Sequence, residues 1–462
     1  MQNNLSSIAR QYTKKTPGSA ALYKRAVDLF PSGVTHDARY LLPHPVYIDR
    51  AQGSQKWDVD GNDYVDYFGG HAALILGHNH PAVIEAVTRQ LSKGVHYGAS
   101  HELELEWAEL ITKLVPCAEK VRFTNSGTEA SLLAMRIVRA FTGKKMVIRF
   151  LSHFHGWHEQ ASFAVHSHFD GSLPVGIPPA MADGVILCPP NDAARLKEIL
   201  ESRDDIAGII LEPTGSSFGR IPATAEYMAK VRQLTKEHDV LLVFDEVISG
   251  FRVSPGGAQE VLGITPDVAL LAKAVSGGLP AGAVVGRADV MDVMTMRSDP
   301  DWNRDRRITH FGTNNANPVS ASAGVAALKI IATGEAVKKA NDSAERIRRG
   351  MTEVIAGQGL NWIVYGQFSE FHVFPNYENQ DVTLSNIYSG TIPYEVIKNG
   401  TTQSIVFEVR AGMLLGGVDL APSPCGWVSA AHSQADVDRT VEAFEMTLKL
   451  WKEEQSAPVK SS

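Results

Sequence analysis

Between about residues 81 and 324 the chain alternates short apolar runs with stretches of helical periodicity, and no other feature limits its fold as much. The runs lie at 121–124, 146–150, 185–187, 208–211, 240–247 and 270–272. Continuous apolar runs of strand length are buried on both faces, and the helical stretches between them serve as crossovers. The pattern predicts an α/β domain with a mostly parallel central sheet and helices on both faces. In such sheets, function gathers at the carboxyl ends of the strands.

Two of the runs end on reactive side chains. The first delivers Asp245 and Glu246, and the second delivers Lys273, with Gly277-Gly278-Leu279-Pro280 soon after. Asp245 and Lys273 are 28 residues apart, which suits one crossover and brings both to the same sheet edge. An ammonium at the mouth of a buried strand loses hydration, so its pKa falls and the neutral amine can attack a carbonyl. A Schiff base to pyridoxal 5'-phosphate follows from that chemistry. Asp245 would pair with the pyridine nitrogen and keep it protonated, so that the ring accepts electrons released at a substrate carbon. The competing role for a strand-end acid is to cap the next helix.

Phe123-Thr124-Asn125-Ser126-Gly127-Thr128-Glu129-Ala130 joins a strand to a helix. Free N–H groups there, with the Ser126 and Thr128 hydroxyls, can surround a phosphate, while simple N-capping is the alternative. Phe154-His155-Gly156 follows the run at 146–150; Phe154 could stack on a flat ring or simply be core, and Gly156 allows a tight bend.

A chain of 462 residues exceeds one compact core. The expected division is an N-terminal arm and small-domain segment at 1–77, a large domain at 78–325, a smaller α+β domain at 326–454 and a disordered tail at 455–462. The stretch to about Gly77 reads as irregular apart from short strands. A net charge of −7 without basic stripes argues against nucleic acid or membrane partners and for small molecules. Cys117, Cys188 and Cys425 form no metal or redox motif, and no signal segment or membrane span is evident, so a cytoplasmic protein without a metal is expected.

Taken together, the segments resemble the class III, or ω-type, aminotransferases of fold-type I pyridoxal-phosphate enzymes, from about Lys24 to the final helix. The resemblance rests on Gly77-His78-Asn79-His80-Pro81, 125–130, Phe154-His155-Gly156, Glu212-Pro213, 245–252, Lys273 with its Gly-Gly-Leu-Pro, and 312–318. Ser32-Gly33-Val34, Arg39 and the Gly/Pro-rich stretch 171–190 are similar to the glutamate-1-semialdehyde aminomutase branch. The resemblance implies that Lys273 is the Schiff-base lysine and proton shuttle and that Asp245 faces the ring nitrogen. Val247 would pack opposite Phe154, and Ser126, Gly127 and Thr128 would hold the phosphate. His155 belongs to the same cofactor-binding set, as does Glu212, with structural pairing to an arginine as the alternative for the glutamate. Thr313 would reach the phosphate of a neighbouring subunit, which implies a homodimer with shared active sites.

Arg39 matches the arginine that meets a substrate carboxylate in this branch, a role suited to its planar fork. The aminomutases carry a phenylalanine-glutamate pair before a C-terminal Ala-His, whereas Ser423-Pro424-Cys425-Gly426-Trp427-Val428-Ser429-Ala430-Ala431-His432 lacks it. With Tyr40, Phe154, Trp157 and Trp427, the pocket reads as aromatic and less acidic. The expected activity is transfer of an amino group from an amino acid or amine, such as an apolar β-amino acid, to a keto acid by ping-pong half-reactions. The competing reading is an isomerase, either an aminomutase or an amino-acid racemase. A non-catalytic regulator on the same fold would carry a DNA-binding extension, and none is evident.

Overall fold

The computed structural model describes residues 6–456. Its chain groups into two units, one comprising residues 81–337 and 385–398, the other the remainder. The excursion 385–398 belongs to the larger unit, whereas the sequence pattern places it with the C-terminal segment.

The larger unit is built on seven strands: β1 (Lys120–Thr124), β2 (Met146–Phe150), β3 (Val185–Cys188), β4 (Ile206–Leu211), β5 (Leu241–Asp245), β6 (Val268–Ala272) and β7 (Gly282–Gly286). Their order is β1-β7-β6-β5-β4-β2-β3. Neighbours from β6 through β5, β4 and β2 to β3 pair in parallel, while β7 runs antiparallel to both β6 and β1. The mostly parallel sheet expected from the sequence is therefore present, with one reversed strand the apolar pattern did not reveal. β5 and β6 are buried along their whole length. The helix Gly127–Thr142 lies on the sheet through Ala130, Leu133, Ala134, Ile137 and Val138, which pack among Val147, Ile210, Val243, Leu270 and Val284. Its apolar stripe is why the chain returns to the sheet after β1 and fixes the start of that helix at the strand ends.

The smaller unit holds a four-stranded sheet (Ile48–Gln52, Gln55–Asp58, Asp63–Asp66, Val418–Asp419) and a three-stranded one (Ile363–Tyr365, Glu370–Phe374, Cys425–Trp427). The N-terminal stretch is not irregular. It forms the helices Ser7–Lys15 and Pro17–Val27, the first capped by the Ser6 hydroxyl. Ile8 and Tyr12 bury against Ala411 and Leu414 of the helix Gln403–Leu415, and the Tyr12 hydroxyl donates to the His44 carbonyl at 2.8 Å. The final helix runs Gln434–Ser456, so Gln455 and Ser456 complete it, and the rest of the expected disordered tail, 457–462, lies outside the described residues. Among the described residues no helix is long and apolar enough to cross a membrane.

Lys56, buried in this unit, sits 2.7 Å from Asp66 Oδ1 and 2.6 Å from Asp419 Oδ2. Burial alone would raise the Asp66 pKa, but Lys56 and His78 hold it well below the usual carboxylate range. A depressed folded pKa contributes stability that is present above the unfolded value and lost as pH falls through the folded one. Asp66→Asn removes one of the two carboxylates beside buried Lys56, with Asp419 remaining, and should cost about 1–3 kcal/mol, read by urea denaturation at pH 7. That penalty should shrink in strong acid, where the wild-type carboxyl is also neutral.

Candidate active site

Asp245 and Lys273 leave the sheet on neighbouring strands. β5 and β6 pair with Leu270 opposite Asp245, so Lys273 stands three residues beyond the acid's partner position. Lys273 opens a short turn, Lys273–Ser276, with φ at +53°. A non-glycine residue in this region costs of order 1–3 kcal/mol and persists only where its surroundings fix it. The residue keeps some surface, yet burial lowers its amine pKa and the Arg252 charge lowers it further, while Asp245 and Glu212 oppose the shift.

Asp245 is buried, with Oδ2 2.7 Å from His155 Nδ1 and Oδ1 accepting the Val247 N–H at 3.1 Å. An ionised carboxylate can only accept, so the His155 proton lies on Nδ1. His155 Nε2 is buried without a hydrogen-bond partner. The neighbouring acid, Glu246, takes the capping role. It accepts from the Ala258 N–H at 2.6 Å, the Ser249 hydroxyl at 2.8 Å and the Gln259 amide at 2.9 Å. Helix capping thus falls to the second acid of the pair, and Asp245 is left for other work.

Ser126 caps the helix Gly127–Thr142, its hydroxyl accepting the Glu129 N–H at 3.2 Å. That uses a lone pair and leaves the hydroxyl hydrogen to donate, so capping and anion binding are compatible. The first-turn amides of Gly127 and Thr128 have no partner within the helix. A Cβ on Gly127 would stand 3.0 Å from Val247 Cγ2, so Val247 lies directly on the helix start. Gly156 has φ at +104°, and a Cβ there would meet Thr128 Oγ1 at 2.7 Å and its Cα at 2.8 Å. Gly156→Ala combines strain with backbone collision and should destabilise by about 2–4 kcal/mol, seen as a lower Tm together with weaker cofactor retention on dialysis.

Glu212 is buried and organises backbone. Oε1 accepts from the Phe154 N–H at 2.9 Å and the Ser217 N–H at 3.0 Å, and Oε2 accepts from the Phe218 N–H at 3.0 Å. The arginine pairing considered from sequence is replaced by these three amides. Burial and the charge of Asp245 raise its pKa. Through the Phe154 amide it fixes the loop that carries His155 to Asp245. Phe154 is 48% exposed and Trp157 78% exposed in the single chain.

Thr313 is not drawn into this group. It lines a cavity of about 360 Å³ with His96, His101 and Asn315, and its carbonyl lies 2.6 Å from His96 Nε2. Arg39, Tyr40 and Trp427 belong to the smaller unit. Arg39 is exposed and donates to the Thr35 hydroxyl at 2.8 Å, Tyr40 packs edge-on to Phe407, and Trp427 Nε1 is buried without a hydrogen-bond partner.

Three participants were not foreseen: Arg252, Ser217 and Lys398. Arg252 is fully buried and acts on Lys273, and Lys398 Nζ donates to Ser217 Oγ at 2.9 Å. The glycines flanking Ser216-Ser217 hint at a special turn. Nothing local marks Lys398.

This set fits a flat, phosphate-bearing aldehyde. It offers a desolvated amine, a buried carboxylate, an open helix start with two hydroxyls, and a buried imidazole nitrogen still lacking a partner.

Comparisons with known proteins agree. Residues 37–363 match the family Aminotransferase class-III. The chain is 35% identical to a glutamate-1-semialdehyde 2,1-aminomutase of Methanosphaera stadtmanae, covering 95% of this chain and 100% of that one. Among solved structures it is similar to an omega-transaminase from Sphaerobacter thermophilus, with a TM-score of 0.84, 32% identity and coverage of 95% and 99%. A beta-phenylalanine aminotransferase from Variovorax paradoxus gives 0.81, 27%, and 96% of each chain.

Proposed function

Since this chain belongs to the class-III aminotransferase family and is a pyridoxal-phosphate enzyme, we propose that it is an aminotransferase that moves an amino group from an amino acid or amine to a keto acid. Pyridoxal phosphate supplies an aldehyde that captures amines and a ring that takes up electrons from the amine-bearing carbon. Lys273 Nζ would hold the cofactor through its aldehyde and, when free, would carry the proton off the substrate carbon. Its lowered pKa keeps a neutral, basic amine accessible. Asp245, steadied by His155 and the Val247 amide, keeps the ring nitrogen protonated. Ser126, Gly127 and Thr128 would bind the phosphate, with Thr313 supplied by the second subunit of a homodimer. Val247 and Phe154 would flank the ring. Arg39 takes the substrate carboxylate, and Tyr40, Trp157 and Trp427 favour an apolar side chain.

The observation that carries this reading is the desolvated Lys273, one strand from Asp245 and held in a strained turn. The fate of the amino group has two readings. The M. stadtmanae relative bears an isomerase's name, and on names alone the sequence relatives favour an aminomutase over a transferase. The named transaminase structures and the absence of the aminomutase glutamate near Trp427 support transfer. A donor screen with and without pyruvate or 2-oxoglutarate separates them. Transfer yields a new amino acid in step with keto acid consumed. Conversion of glutamate-1-semialdehyde alone, with no acceptor, would instead establish the isomerase.

A further inference from the structure

A second buried lysine stands beside the Lys273 site. Lys398 closes the excursion 385–398, and its ammonium donates to the Ser217 hydroxyl at 2.9 Å. Ser217 and Phe218 sit in left-handed backbone, with φ of 52° and 57°, and their amides are held by Glu212. The same carboxylate holds the Phe154 amide, one residue from the His155 that contacts Asp245. An ordered path therefore runs from Lys398 through Ser217 and Glu212 to the loop at Phe154.

We propose that Lys398 is a positioning residue for the Lys273 site, fixing the Ser217–Phe218 turn and the charge of Glu212 by donating to Ser217. The inference rests on reading Lys273 as the cofactor lysine. The groups facing Lys398 are Ser217, Arg220, Glu212, His153 and His166. Arg220 donates to the backbone carbonyl of Ile397 at 3.1 Å, which brings a second cation next to the lysine. Burial and Arg220 lower the Lys398 pKa to about 7 against the pull of Glu212. His153 and His166 are both pushed below the usual imidazole range, mainly by burial and partly by Lys398, so they remain neutral near pH 7. A raised pH removes the Lys398 proton, weakens the bond to Ser217 and takes one positive charge from beside Glu212.

The test compares holoenzyme of the wild type, Lys398→Met and Lys398→Arg between about pH 6 and 8.5, by kcat/KM and by the absorbance of the bound cofactor. The ratio of wild-type to Lys398→Met kcat/KM should fall from about tenfold at low pH to near one above pH 8, because both lack the charge there. Arginine remains charged, so the ratio of Lys398→Arg to Lys398→Met should hold constant with pH. The cofactor spectrum should follow the same midpoint in the wild type and lose it in Lys398→Met. A wild-type ratio that does not vary with pH, or a Lys398→Arg profile that tracks the wild type, would overturn the role. Borohydride trapping on Lys273 in each variant separates the two readings: trapping with flat ratios sinks only the Lys398 inference, whereas no trapping in the wild type sinks both.

Discussion

Lys273→Ala should lower kcat by about four orders of magnitude, because in the proposed role one side chain both holds the cofactor and moves the proton. The loss should appear with every donor and in the first half-reaction alone, followed as the change in cofactor absorbance on adding amine. The protein should remain folded. Lys273 contributes little to the core, and its left-handed backbone is held by the buried turn through Ser276. Phosphate binding should persist, since Ser126, Gly127 and Thr128 are untouched. Retention of substantial turnover would mean that another base carries the proton.

Asp245→Asn should lower kcat by about 100-fold while leaving KM and cofactor content close to normal. A carboxylate within about 4–6 Å of a cationic group raises its pKa by roughly 1–3 units, worth about 1.4–4 kcal/mol. Loss of that support leaves the ring nitrogen largely neutral at pH 7 and the electron acceptor weakened. The amide is isosteric, so Oδ1 can still accept from the Val247 N–H, and the change is electrostatic. The His155 hydrogen bond would invert: the amide donates to Nδ1 and the imidazole proton moves to Nε2. His155→Ala should therefore reproduce part of the loss, by freeing Asp245 rather than by removing its charge. Normal turnover in Asp245→Asn, measured at saturating donor and acceptor, would remove Asp245 from this role.

The larger unit's architecture was legible because its strands are buried on both faces and so announce themselves as uninterrupted apolar runs. β7 escaped because five residues bounded by Gly282 and Gly286 offer only three apolar side chains. The helix Ser7–Lys15 escaped for a related reason: Ile8 and Tyr12 alone are buried on it, too sparse a stripe to read. At the site, position alone placed residues on strand ends and the turns that follow: Asp245 and Lys273 do leave neighbouring strands, and Ser126 does open a helix. Glu212 was found but its work was not, because its partners are backbone amides in two loops, a contact side-chain chemistry does not encode. Lys398 reaches the site from 181 residues beyond Ser217, and no local pattern foretells that pairing.

Lys273, and no other lysine, should carry the cofactor. Lys398 is the competing amine, since it is buried and its pKa is lowered to about 7. Borohydride reduction of the holoenzyme, followed by proteolysis and peptide mass mapping, decides between the two. One peptide should bear the reduced cofactor adduct, at residue 273. An adduct at Lys398, or no adduct on any peptide, would contradict that assignment.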